Sequence, residues 1–269
     1  MIAAVRLLLL ALIAAVSPGQ IVAKLNAQRV ANGIPGGITL NAAGTLGCEH
    51  HVRYEERNGI TWTHQETPGK PGYTKDGMLA GIGGDQSYTS GWEFGNPFEN
   101  LPLHMATLMS PALMQIGTYE SGRRVCMDIS VGGGRQFATD ELFTYPGNGR
   151  ANVPTSQMVH GEWPASPGDV VGLPQGRTTG PTIYVFSVGP WQYQGPFHLS
   201  AAKVVGPGGP VAIRVVDPRQ HPKINPYVAA GAFFLIPVSP LRSHAHYTAT
   251  VTVAGPSDTI SKTIHFTTS

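Results

Sequence analysis

The sequence predicts an α+β protein whose helices fall in its first half and whose strands fall mostly in its second. Before residue 135, apolar runs are bracketed by residues that start and stop helices. After it, β-branched and aromatic runs alternate with Gly/Pro turns, the pattern of an antiparallel sandwich. Composition agrees with a folded protein: 41% of the 269 residues are hydrophobic, enough for real cores. The 34 glycines and 23 prolines follow no Gly-X-Y period, which excludes collagen. The length suits one large or two medium domains.

Taken in order, Ile21-Val22-Ala23, Leu25 and Val30 predict a first helix that stops at Asn32-Gly33. Asn41 caps a second, running through Leu46, Cys48, His51 and Tyr54 to Asn58-Gly59. Residues 67 to 97, rich in Gly, Pro and Ser, read as a long loop. A third helix follows Pro102, and Ile116–Tyr119 with Val125–Ile129 form a strand pair around Ser121-Gly122. Residues 136–165 read as a linker. Strands are then expected at Ile183–Phe186, Val211–Val216, Ala232–Ile236, Tyr247–Val253 and Thr263–Thr267.

Arg6 followed by the apolar run Leu7–Val16 and by Ser17-Pro18-Gly19 has the form of a secretory signal, residues 1–19, with cleavage near Gly19. The run is too short to span a bilayer, which needs roughly 20 apolar residues. The protein is therefore expected outside the cell or in its envelope, with no membrane span after signal removal. A formal charge of +2 offers no clustered basic face for nucleic acid. In an oxidising compartment the two cysteines, Cys48 and Cys126, can form a disulfide; the alternative is two separate buried thiols. No Gly-x-Ser-x-Gly elbow, His-Glu-x-x-His helix or phosphate-loop pattern occurs.

Five segments in order carry a family resemblance: Leu25-Asn26-Ala27-Gln28-Arg29 with Gly33-Ile34; Cys48–Tyr54 around His51; Thr63-His64-Gln65-Glu66 with Gly72-Tyr73-Thr74; Phe98–His104; and Pro111, Leu113 and Ile116-Gly117. Together they resemble the CAP superfamily, the group of cysteine-rich secretory, antigen 5 and pathogenesis-related 1 proteins, in its short bacterial form. The ending from Pro240-Leu241 through Tyr247–Val251 to Phe266-Thr267-Thr268 is similar to bacterial immunoglobulin-like modules. The resemblance implies a CAP α-β-α sandwich over residues 20–135, then the linker, then an Ig-like β-sandwich over 166–269.

It also implies a cleft centred on His51 and His104, with the family's Gly-Glu-Asn replaced by Gly84-Asp85-Gln86 or by Trp92-Glu93. His51, His64, Asp85, Glu93 and His104 are the cleft candidates. His51 and His104, with Asp85, Glu93 or Glu66, are tentative zinc ligands, since a zinc site wants three or more protein donors. His50 and His51 are adjacent, about 100° apart on a helix, and cannot readily share one ion. No catalytic residue and no cofactor other than possible zinc is assigned. The expected function is binding of a lipid, sterol or envelope glycan by a monomer, with a metal-dependent hydrolase of envelope polymer or peptide as the alternative. A purely structural surface role is the third reading.

Overall fold

The computed structural model describes residues 16–132, 134–194, 196–228 and 231–269. The first fifteen residues of the expected signal segment lie outside that set. Helix α1, Pro18–Ala31, opens with a capping box between Ser17 and Gln20, so Ser17-Pro18-Gly19 forms a helix start. Strand β1 is Thr39–Leu40. Helix α2 is Ala42–Asn58, capped by Asn41 and closed by Gly59 in the left-handed conformation. The expected loop over 67–97 instead holds α3, Lys75–Gly83, and β2, Gly84–Tyr88. Thr74 caps α3, a polar start hidden by the glycines around it. Helix α4, Pro102–Leu108, and the hairpin of β3, Gln115–Ser121, with β4, Arg124–Asp128, complete the first half.

These strands make one sheet in the order β1-β3-β4-β2. Its pleat sends alternate side chains to opposite faces. On β4, Val125 and Met127 join one core with α1 and α4, while Cys126 joins another with Cys48, Val52 and Ala80 of α2 and α3. The sheet is thus covered by helices on both faces. Gly44 of α2 and Gly117 of β3 set the closeness of one layer: a Cβ on Gly117 would lie 2.2 Å from the Gly44 backbone. Cys48 and Cys126 are disulfide-bonded, fastening α2 to β4.

The expected linker, residues 136–165, instead supplies β5, Glu141–Tyr145, β6, Arg150–Val153, and β7, Gln157–Met158. Short polar runs between prolines concealed them. After β8, Thr178–Thr179, come β9, Ile183–Val188, and a short helix α5, Trp191–Gln194. Then follow β10, His198–Gly206, β11, Gly209–Pro210, β12, Ile213–Val216, and β13, Ala232–Pro237. Strands β14, His246–Ala254, and β15, Thr259–Thr268, end the chain. Two sheets, β12-β13-β9-β5 and β11-β10-β14-β15-β6, face each other, and β7 pairs with β8. The class is α+β.

Strands β9 and β13 are buried on both faces. Ile183, Val185, Phe233 and Leu235 pack toward the outer sheet, while Tyr184, Phe186, Phe234 and Ile236 share one core with α1, α4 and the first sheet. Trp191 is buried in the outer core, and Tyr193 is exposed. No helix among the described residues is long and apolar enough to cross a membrane.

The disulfide closes a loop of 78 residues. A crosslink of that span contributes about 4 kcal/mol through the entropy of the unfolded chain. Replacing both cysteines with alanine is expected to remove about that much stability, read as a lower urea midpoint with little change in slope.

Candidate functional site

The site grows from α2. His51 and Glu55 lie one turn apart on it, both buried. Glu55 accepts the Thr63 N–H at 2.7 Å, and the Thr63 carbonyl accepts from His51 Nε2 at 2.8 Å. The other ring nitrogen of His51 donates to Glu66 at 3.1 Å, and Glu66 also accepts the Thr74 N–H. Both ring nitrogens of His51 are thus engaged by protein partners. Burial pushes the Glu55 carboxyl up to about 8, against the pull of the Thr63 hydrogen bond and Arg124. His51 therefore pins the loop that carries His64 and is not a cleft residue. Gly81 permits this: a Cβ there would stand 2.4 Å from the His51 ring. His50 lies outside, paired with Asp76 at 2.8 Å.

Three other candidates do converge. His64 from the α2–α3 loop, Asp85 from β2 and His104 from α4 line one cavity of about 520 Å³. The His64 and His104 rings are stacked with centroids 6.4 Å apart. Phe98 stacks on the other imidazole, His104, at 5.5 Å. Apolar walls come from Ile82, Leu103, Ala112, Leu113 and Ile129, with Trp163, Tyr227 and Val228 from the second half. Glu93 is exposed on the loop after β2 and contributes nothing to this cavity; only the expectation at Gly84-Asp85-Gln86 survives.

Sequence reasoning missed Glu162, which sits in the supposed linker. Its Oε1 accepts from His104 Nδ1 at 3.0 Å and from the Leu103 N–H at 2.8 Å. Its side chain is buried, and Oε2 has no hydrogen-bond partner. A glutamate before a Trp-Pro pair carries no sequence signal of its own; only the fold brings it to His104. Trp163, the next residue, packs against His64 at 5.5 Å and against Tyr227 at 4.9 Å.

The electrostatics separate the two imidazoles. Burial lowers the His64 pKa, helped by the fields of His104 and His51 and opposed by its hydrogen bond to Gly81. Because the Gly81 carbonyl can only accept, His64 Nδ1 carries the proton, and neutral His64 keeps its lone pair on Nε2. Burial also works against charge on His104, but the Glu162 hydrogen bond and the fields of Asp85 and Glu162 outweigh it and raise its pKa. Asp85 is pushed up to about 6 by burial, against the pull of His104 and Thr107. The Thr107 hydroxyl lies 2.5 Å from Asp85 Oδ2 and 2.6 Å from the His104 carbonyl.

No group of three or more His, Cys, Asp or Glu side chains among the described residues is arranged to hold a metal. The expected pairing of His51 with His104 on one ion does not form: both His51 ring nitrogens are engaged by Thr63 and Glu66, and His51 does not line the cavity that His104 lines. No protein-family model and no curated protein matches the sequence. Among solved structures, a DUF4426 family protein from Pseudomonas aeruginosa aligns at 14% identity, over 50% of this chain and 94% of that chain, with a TM-score of 0.28. A score of that size does not establish a shared fold.

Asp85 makes the site measurable through stability. An unfolded aspartate ionises near its ordinary value of 3.8, whereas the folded one waits until about 6. The folded state therefore binds the proton more tightly, so stability falls as pH rises from about 4 to about 6 and is level above. Asp85→Asn is expected to stabilise the protein at pH 7 by up to about 3 kcal/mol. That gain should vanish below pH 4, and paired urea titrations at the two pH values check it.

Proposed function

We propose that the protein is a secreted or envelope-associated CAP-domain protein, followed by an Ig-like sandwich, that binds a small, mainly apolar ligand in the His64–His104 cavity. The observation that carries this reading is the cavity itself: about 520 Å³, walled by aliphatic and aromatic side chains, with a few polar groups converging at one place. The helix-covered first sheet and the position of His104 on α4 are in keeping with the family resemblance. The neutral His64 suits a ligand hydroxyl, which donates to Nε2. Asp85 and Glu162 beside His104 disfavour an anionic ligand. A metal-dependent hydrolase draws less support, because both His51 nitrogens are engaged and no group of three His, Cys, Asp or Glu side chains among the described residues is arranged to hold a metal.

The test compares 1-octanol with its methyl ether by calorimetry. The alcohol is expected to bind more tightly by about tenfold, the effect of one hydrogen bond in a desolvated site. His64→Phe should erase that difference while leaving the ether unaffected. Equal affinity of alcohol and ether in the wild type would remove His64 as the acceptor. No binding of either would overturn the reading.

A further inference from the structure

The His64–His104 pair is not the back wall of the cavity. The same two rings and Trp163 line a second, smaller space of about 210 Å³ on their other side. The remaining walls there differ in kind from those of the larger chamber. Trp62 supplies an aromatic face beside Tyr88; Gln86, Ser87 and Thr89 supply neutral polar groups, and Leu101, His160 and Glu162 complete the lining. Trp62 and Trp163 flank His64 with ring centroids 5.9 and 5.5 Å away. Both are half exposed, at 46% and 49%, whereas the other two tryptophans, Trp92 and Trp191, are buried. Two neighbouring tryptophans left open beside a polar recess mark a surface built to be covered.

We infer that the site takes a two-part ligand, a single-chain amphiphile whose apolar tail fills the larger chamber and whose sugar headgroup occupies the smaller one between Trp62, Tyr88 and Trp163. The inference rests on the ligand-binding reading above and specifies its ligand class. A pyranose has apolar C–H faces that pack on aromatic rings and a rim of hydroxyls that both donate and accept. The smaller chamber matches both features. The Ser87 and Thr89 hydroxyls are 3.1 Å apart, and Thr89 also reaches the Ser90 carbonyl at 3.1 Å, so when Thr89 donates there Ser87 donates to Thr89. Arg123 and Arg124 lie on the Tyr88 ring and do not line the chamber, and His104, which does, already faces Glu162 and Asp85; both facts argue against a phosphate headgroup.

The experiment measures monomeric octyl β-glucoside, 1-octanol, glucose and octyl phosphate against the full-length protein by calorimetry, all below their critical micelle concentrations. The glycoside is expected to bind about tenfold more tightly than octanol, with glucose alone weak. Trp62→Ala should bring the glycoside down to the affinity of octanol, and the octanol value of the same variant reports whether it is folded. Ala112→Phe, which narrows the larger chamber, should weaken glycoside and octanol together. If octanol binds and the glycoside binds no better, the headgroup inference is overturned while the apolar-ligand reading stands. If octyl phosphate outranks the glycoside, the headgroup class is wrong. If neither octanol nor the glycoside binds, both fall.

Discussion

The structure depends on one sheet being buried from both sides. In β9 and β13, Ile183, Val185, Phe233 and Leu235 turn toward the outer sheet while Tyr184, Phe186, Phe234 and Ile236 turn toward the helices of the first half. A strand whose every side chain is out of water must read as a continuous apolar run, and both do. The consequence is that the two halves share a core. Removing either would strip one face of this sheet and expose a row of large side chains, at roughly 2 kcal/mol each. The boundary inferred from composition is therefore a change of architecture and not a gap between independent bodies.

That shared core explains why the site lies at the seam. His104 comes from α4, but its orientation is fixed by Glu162, 58 residues later, through a hydrogen bond in which the same carboxylate oxygen also takes the Leu103 amide. The cavity roof, Trp163 and Tyr227, comes from the second half, and its floor, Asp85 and Thr107, from the first. A buried carboxylate paired on one oxygen and orphaned on the other is costly unless something else repays it. Here the repayment is local: one carboxylate oxygen of Glu162 both orients His104 and takes the Leu103 amide.

Much of the fold was legible because it rests on local chemistry. Asn41, Gly59, Pro102 and the Ser121-Gly122 turn set element ends that the sequence states openly. The alternation Tyr247-Thr248-Ala249-Thr250-Val251 announces a strand with one wet face, and β14 has one. What was hidden is what only long-range packing decides. Helix α3 is glycine-rich because Gly77 and Gly81 admit neighbouring side chains, a contact invisible in one dimension. Strands β5 and β6 are short and polar-edged, held by pairing with β9 and β15. In the site, Asp85, His64 and His104 were among the candidates, but spacing could not tell the sealed histidine from the open one. His51 and His64 are both histidines of the same region; their difference is that one meets two acceptors and the other a single carbonyl.

The same difference bears on whether the cavity binds or reacts. A neutral imidazole with a free Nε2 is a competent base, so His64 alone does not decide the matter. Acyl or phosphoryl transfer also needs positive potential where negative charge develops. The nearest source is His104, whose raised pKa comes from the two carboxylates that face it, Glu162 and Asp85. A cation whose charge is held by two neighbouring anions has little field left to offer a third. The burial that lifts Asp85 to about 6 tells the same story from the other side, since the cavity resists added charge. A neutral, hydroxyl-bearing ligand meets no such resistance: it gives His64 a proton to share, leaves the His104–Glu162 pair undisturbed, and covers the apolar walls. The chemistry of the walls and the electrostatics of the floor thus favour holding a molecule over cleaving one.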